Sequence, residues 1–133
     1  MPGPEHVEVA QLLLEKAGGD LAALRVLAAD QNQADHVVGF HAQQAVEKSI
    51  KAVLASREIE IPMTHDLGYL VTLVERLPPQ VAESRWLTPW AGGWRYDAEG
   101  SPMEREKALR VAQCAVEWAD VVIKKAASQS SPT

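Results

Sequence analysis

The chain has 133 residues, of which 47% are hydrophobic, and its formal net charge is −5. This length predicts one domain whose core needs no disulfide or metal, and the apolar content excludes a disordered chain. The acidic balance argues against indiscriminate binding to nucleic acid or to membrane surfaces, because such binding needs a basic surface.

Cysteine content and hydropathy narrow the class of protein further. The single cysteine, Cys114, excludes an internal disulfide and a zinc site built on cysteines. No apolar run is long enough to span a membrane, and the N-terminal residues lack the basic and apolar regions of a signal peptide. We therefore expect a cytoplasmic protein that holds no metal and no other cofactor.

Two long helices are predicted in the first half of the chain. Apolar residues recur every three or four positions from Glu5 to Asp30 and again from Asp35 to Ser56, with no proline in either stretch. Gly18-Gly19 interrupts the first helix at a cost of about 2 kcal/mol relative to alanine. The apolar phase continues across this pair, which favours one helix bent there. The alternative is two helices with a break at the glycines.

Two shorter helices are predicted in the middle of the chain. The third helix begins at Thr64, which we place at the N-cap with Asp66 in the first turn, and its apolar stripe continues to Leu77. A proline pair ends this helix. A fourth helix then runs from Pro79, in the first helical turn, to about Trp86.

The last part of the chain is predicted to be a loop followed by a long helix. The loop, from Leu87 to Gly100, contains proline, glycines and aromatic residues. Ser101-Pro102-Met103-Glu104 has the pattern of a capping box, and the helix that it opens runs to about Lys125. Residues 128–133 are expected to form a frayed tail. The sequence thus predicts an all-α, antiparallel up-and-down bundle of about five helices, one domain with its core over about residues 5–127.

Four segments occur in an order that is typical of one known family. They are Leu14-Glu15-Lys16-Ala17 followed by Asp20-Leu21, the run Phe40 to Lys51, Thr64-His65-Asp66-Leu67, and Arg95-Tyr96-Asp97. Together they resemble the HEPN family, the higher-eukaryote and prokaryote nucleotide-binding domains, over residues 8–125. The resemblance implies a helical bundle, often a homodimer, with a nucleotide or RNA as ligand. In many prokaryotic members it also implies a small nucleotidyltransferase as partner.

Some HEPN proteins are ribonucleases of toxin–antitoxin or defence systems, and these use an arginine followed, after four to six residues, by a histidine. Seven residues separate Arg57 from His65, and ten or more separate Arg25 from His36 and from His41. The nuclease motif is therefore absent as the family writes it. We expect a non-catalytic binding module. The alternative is a metal-independent ribonuclease in which Arg95 stabilises phosphate charge and His41 or His65 transfers protons.

A polar stripe on the second helix is the first candidate binding site. It comprises His41, Gln44, Lys48 and Lys51, which stand at i, i+3, i+7 and i+10 and so share one helix face. Its donors and positive charges suit a phosphate or a base edge. The alternative is a solvated face or polar pairing where two helices meet.

Three further residues are candidates for ligand binding. The imidazole of His65 and the backbone N–H groups at the start of the third helix could together bind an anion. The alternative is that Thr64 and Asp66 cap the helix and His65 packs or bonds locally.

Arg95 and Tyr96 lie in the aromatic loop, where a guanidinium can clamp phosphate and a ring can stack on a base. The alternative is that Arg95 pairs with a carboxylate of the bundle while Trp90 and Trp94 close the end of the core. Cys114 is expected to be a buried, inert thiol.

Overall fold

A computed structural model describes residues 3–92 and 103–130 of the chain. These residues form helices and connections, with no strand among them, so the predicted all-α class is confirmed. Two of the helices continue into 3-10 segments. The elements are α1 (Pro4–Ala29), α2 (Asp35–Ser56), α3 (Leu67–Leu70) with the 3-10 segment Val71–Leu73, α4 (Pro79–Ala82) with the 3-10 segment Ser84–Gly92, and α5 (Arg105–Ser130).

Helix α2 is the centre of the bundle and packs against both α1 and α5. Most residues from Val38 to Ser56 are buried, and four of these are alanines, which let the neighbouring helices approach closely. The largest buried side chains around it include Leu24, Ile50 and Leu54. Each such side chain contributes about 1.5–3 kcal/mol by leaving water, so α2 supplies much of the driving force for folding.

The long helices differ in direction. The five residues that join α1 to α2 reverse the chain, and Gly3 at the start of α1 reaches Glu58 just beyond the end of α2. Arg105, the first residue of α5, contacts Asp35, the first residue of α2. Helix α5 therefore runs parallel to α2 and antiparallel to α1.

Helix α1 is continuous through Gly18 and Gly19, so the favoured of the two predictions is confirmed. A Cβ atom at either glycine would meet nothing within 4 Å. No other part of the described chain comes near enough to require a glycine there. The apolar phase that continues across the pair keeps Ala17 and Leu21 on the buried face, and this burial outweighs the propensity cost.

The prediction for the third helix is wrong in its length and in its N-cap. Helix α3 ends at Leu70 and tightens into a 3-10 turn, after which Val74 takes an extended backbone with φ −122° and ψ 132° that ends the helical segment. The N-cap is Asp66, whose carboxylate accepts a hydrogen bond from the Gly68 N–H at 2.9 Å. The Thr64 hydroxyl instead accepts from the Asp66 N–H at 3.1 Å.

The predicted boundary between the fourth helix and the loop is also wrong. Pro79 does begin α4, but α4 ends at Ala82, and Ser84–Gly92 is a 3-10 helix that covers the first residues of the predicted loop. Ser84, Leu87 and Trp90 are all buried. Their spacing of three residues is the period of a 3-10 helix, so one face of this segment packs on the core. Burial of Trp90 agrees with the alternative in which it closes the end of the core.

Helix α5 begins later and ends later than predicted. The Met103 N–H donates to the Asp35 carboxylate at 3.0 Å, which holds residues 103 and 104 outside the helix. The first two residues of the predicted capping box and the rest of the predicted loop lie outside the described residues. The helix continues to Ser130, beyond the predicted end at about Lys125. In the described part of the chain, no helix combines the length and the apolarity that crossing a membrane requires.

Candidate functional site

Two residues of the polar stripe, His41 and Lys48, contact a carboxylate of α1. Asp20 lies on the face of α1 that meets α2, and its carboxylate accepts a hydrogen bond from Lys48 Nζ at 2.7 Å. His41 Nδ1 lies 3.2 Å from the other oxygen of the same carboxylate. The Asp20 side chain is only 12% exposed, which strengthens both interactions relative to a surface ion pair. Asp20 thus joins two stripe residues to α1.

A second, buried carboxylate contacts Lys51 of the stripe together with two side chains outside the stripe. The Glu47 side chain is 5% exposed, and it accepts hydrogen bonds from Gln43 Nε2 at 2.8 Å and from Lys51 Nζ at 3.0 Å. His65 Nδ1 lies 2.8 Å from Glu47 Oε1. A buried carboxylate is tolerated only where hydrogen bonds and opposite charge replace water, and Glu47 has both.

His65 and Gln44 are tied into the same group. Gln43 Nε2 also donates to the backbone carbonyl of His65 at 3.2 Å, which fastens the entry of α3 to α2. Gln44 Nε2 donates to Gln43 Oε1 at 2.7 Å. The His65 side chain stays 68% exposed, so one imidazole joins the buried carboxylate to solvent.

The structure therefore brings five of the seven candidate residues to one side of α2. His41, Gln44, Lys48, Lys51 and His65 share the two carboxylates or their amide neighbour. Arg95 and Tyr96 lie outside the described residues.

Sequence reasoning missed the acceptors of this site. In the sequence, Asp20 and Glu47 stand out only as members of the segments that carry the family resemblance. A signal for Glu47 was present: it lies between Val46 and Ile50 on the apolar side of α2, where a charged residue needs partners. The pairing of Asp20 with α2 depends on how two helices align, which no local pattern gives.

A second polar cluster joins the ends of three helices. The Arg105 guanidinium donates to the Asp35 carboxylate, with Nη2 to Oδ1 at 3.0 Å, and to the carbonyl oxygen of Gln33. It also donates to the Asp30 carbonyl at 3.0 Å, just after the end of α1. All its donors face protein acceptors, which indicates a structural role.

Cys114 differs from the prediction in its exposure. It is partly buried rather than fully buried. This burial, followed by the nearby charge of Glu117, raises the pKa of the Cys114 thiol above its ordinary value. The thiol is therefore neutral at physiological pH, and a neutral thiol is a poor nucleophile.

Two grooves lie on the surface formed by residues 3–92 and 103–130. A groove of about 320 Å³ lies between the α4 region and α5, where the Lys107 ammonium sits 4.5 Å from the centre of the Trp86 ring. A larger groove of about 640 Å³ lies where α2 ends beside the second half of α5. Within these residues, no three histidine, cysteine or acidic side chains are grouped so as to hold a metal ion.

Comparison with known proteins identifies the class. Residues 10–126 match the family model of the HEPN domain. This range covers most of the chain and contains both carboxylate clusters, so the chain belongs to the HEPN domain family, as the four sequence segments predicted. No curated protein matches the chain, and no solved structure matches it.

Proposed function

We propose that this chain is a non-catalytic HEPN interaction module that forms a homodimer and works with a small nucleotidyltransferase partner. The observation that carries its non-catalytic part is the internal pairing of the polar stripe, while membership of the HEPN domain family supports the homodimer and the partner. Lys48 and Lys51 bond to Asp20 and Glu47, so the formal charges of these two lysines are cancelled within the chain. A site built for phosphoryl chemistry keeps positive charge available for the phosphate.

The same pairing counts against the ribonuclease alternative. His41 and His65 both lie next to carboxylates, which repel the phosphates of an RNA backbone. The arginine–histidine spacing of the family's nucleases is also missing from the sequence. If purified protein cleaves RNA in EDTA, and Arg95→Ala abolishes the cleavage, the non-catalytic proposal is wrong.

The partner is tested by recovering the tagged protein from its native cells at near-physiological salt and identifying what accompanies it by mass spectrometry. We expect a nucleotidyltransferase in stoichiometric amount. Light scattering of the purified chain should give twice the monomer mass of 14.5 kDa. Recovery of the chain alone contradicts the partner, and a monomeric mass contradicts the homodimer.

We further propose that the stripe is the nucleotide site, and that the nucleotide binds there by taking the place of Asp20. Its phosphate must compete with a carboxylate that already holds Lys48 at 2.7 Å, so we expect weak affinity for ATP in the wild type. Asp20→Asn removes the competing charge and should strengthen binding about fivefold or more, measured by titration calorimetry. The control is Asp120→Asn, which removes an exposed carboxylate paired with Lys124 on α5. Equal affinity in wild type and both variants contradicts a nucleotide site at the stripe.

A further inference from the structure

The larger groove has a lining that the proposed function does not use. It lies where the end of α2, the chain after α3 and the second half of α5 meet, and its volume is about 640 Å³. Among the described residues, three basic ones line it, namely Arg57, Arg76 and Lys125, and no acidic one does. In a chain with a net charge of −5, this is a local concentration of positive charge.

The three basic side chains are not neutralised within the described part of the chain. There, no carboxylate lies within ion-pair distance of the Arg57, Arg76 or Lys125 side chain. This differs from the polar stripe, where Lys48 and Lys51 both contact carboxylates. Like charges around one groove repel each other until an anion joins them.

The backbone at Arg76 is a second sign of a binding surface. Arg76 and Glu58 have left-handed backbones, with φ of 61° and 56°. Long side chains rarely adopt this conformation, and such residues concentrate at binding sites. For Glu58 the structure gives a reason, because it follows the C-cap of α2 in a Schellman motif: the Ile59 N–H donates to the Leu54 carbonyl at 2.9 Å and the Glu58 N–H donates to the Ala55 carbonyl at 3.1 Å. For Arg76, the groove is the feature that its side chain lines.

The rest of the lining is apolar. The partly buried Trp118 and Val122 stand four residues apart on α5 and contribute to the same groove as the cations. Tryptophan and arginine are favoured at the centres of protein interfaces, since both combine a large contact area with a polar group. The groove therefore suits a ligand that carries several negative charges around one apolar side chain.

We propose that this groove docks a short acidic peptide segment of a partner protein. Its carboxylates pair with Arg57, Arg76 and Lys125, and one apolar side chain rests on Trp118. A peptide fits better than a nucleic-acid strand, because exposed Glu58 and Glu75 follow and precede the two arginines in the chain. A long polyanion has to pass such carboxylates, whereas a short segment stays within the groove. The surface is separate from the polar stripe, and the proposal holds whether or not the partner is a nucleotidyltransferase.

Fluorescence anisotropy of three labelled probes tests the proposal. The first is a decapeptide of aspartate and glutamate around a central leucine, the second has asparagine and glutamine in place of the acids, and the third is decaadenylate RNA. We expect the acidic peptide to bind and the neutral peptide to bind at least about tenfold more weakly. Binding of the acidic peptide should weaken as NaCl rises, because salt screens exposed charges.

Variants of the chain locate the site. The triple variant Arg57→Gln, Arg76→Asn, Lys125→Gln should lower affinity at least about tenfold, and asparagine is chosen at 76 because it tolerates a left-handed backbone. The control is Lys124→Gln, which removes a neighbouring lysine that pairs with Asp120 outside the groove. Lys125→Gln alone, at an exposed helix position, should weaken binding about threefold, and it serves if the triple variant fails to fold.

Four results overturn the proposal. The acidic peptide fails to bind at about 1 mM, the neutral peptide binds equally well, the RNA binds where the peptide does not, or the groove variants bind as the Lys124→Gln control does. None of these results depends on recovering a nucleotidyltransferase, so a failure here is distinguishable from failure of the proposed function.

Discussion

Glu47 is a carboxylate in the interior of a helical bundle, and three side chains make its burial tolerable. Gln43 and Lys51 approach it along α2, and His65 approaches from the entry of α3. Leaving such a carboxylate or its lysine unpaired costs several kcal/mol, so the members of the cluster depend on one another.

We expect Glu47→Gln to destabilise the fold by about 2–4 kcal/mol. The amide keeps the shape but loses the charge that Lys51 pairs with, and its NH₂ group faces a donor on Gln43. Urea unfolding followed by circular dichroism measures the change. Glu117→Gln is the control, because this exposed side chain accepts a bond from Gln113 at 3.1 Å and should change stability by less than about 0.5 kcal/mol. Equal losses in the two variants contradict the role given to Glu47.

The helical period was enough to place the donor residues of the stripe on one face of α2. It gave no information on the residues that accept their hydrogen bonds. His41 and Lys48 share a face because of spacing alone. Their common partner, Asp20, comes from a different helix, and that contact depends on the alignment of α1 with α2. Local sequence patterns do not encode such alignments.

Of three glycines in α1 and α2, one is closely packed and two face open space. A Cβ at Gly39 would lie 2.5 Å from Trp90 Cδ2 and 2.6 Å from Met103 Cε, so α2 needs a glycine to admit both side chains. At Gly18 and Gly19 there is open space within 4 Å. The same residue type is thus required by packing in α2 and unconstrained by the described chain in α1.

We expect Gly39→Ala to destabilise the protein by about 1–3 kcal/mol, because the indole of Trp90 is rigid and cannot yield as a flexible chain does. Gly19→Ala is the matched variant and should stabilise by about 0.5–1 kcal/mol, since alanine favours the helix and meets nothing there. Urea midpoints of the two variants should therefore move in opposite directions. Shifts of the same sign contradict either the packing at Gly39 or the open surface at Gly19.

The long elements were predictable, and the short ones were not. The bounds of α2 agree with the prediction because its apolar period continues over six turns. The predicted helix after Thr64 and the predicted loop after Trp86 failed for a common reason. Both segments are short, and their backbone follows packing against the core, as the burial of Leu87 and Trp90 every three residues demonstrates. Propensity has little weight over such lengths.

The arrangement of the three long helices has two parts: α2 runs antiparallel to α1, and α5 runs parallel to α2. The short connection between α1 and α2 gives antiparallel neighbours, as the sequence predicted for helices joined by short turns. Helix α5 then begins beside the start of α2, at Asp35, so that it lies along α2 in the same direction. This arrangement brings the end of α1, the start of α2 and the start of α5 together around Arg105.

The planar guanidinium group of Arg105 stabilises this junction by donating hydrogen bonds to several acceptors at once. The last carbonyl groups of a helix have no partner within it, and the Arg105 guanidinium donates to the Ala28 carbonyl in the last turn of α1 at 3.4 Å while it also pairs with Asp35 of α2. A lysine carries the same charge but has a single nitrogen, which cannot reach these acceptors together.

We expect Arg105→Lys to destabilise the protein by about 2–3 kcal/mol in urea unfolding. Arg110→Lys, on an exposed face of α5 one and a half turns further on, should cost less than about 0.5 kcal/mol. If Arg105→Lys is equally mild, the positive charge alone is sufficient at the junction, and the planar geometry of the guanidinium does not stabilise the arrangement of the three helices.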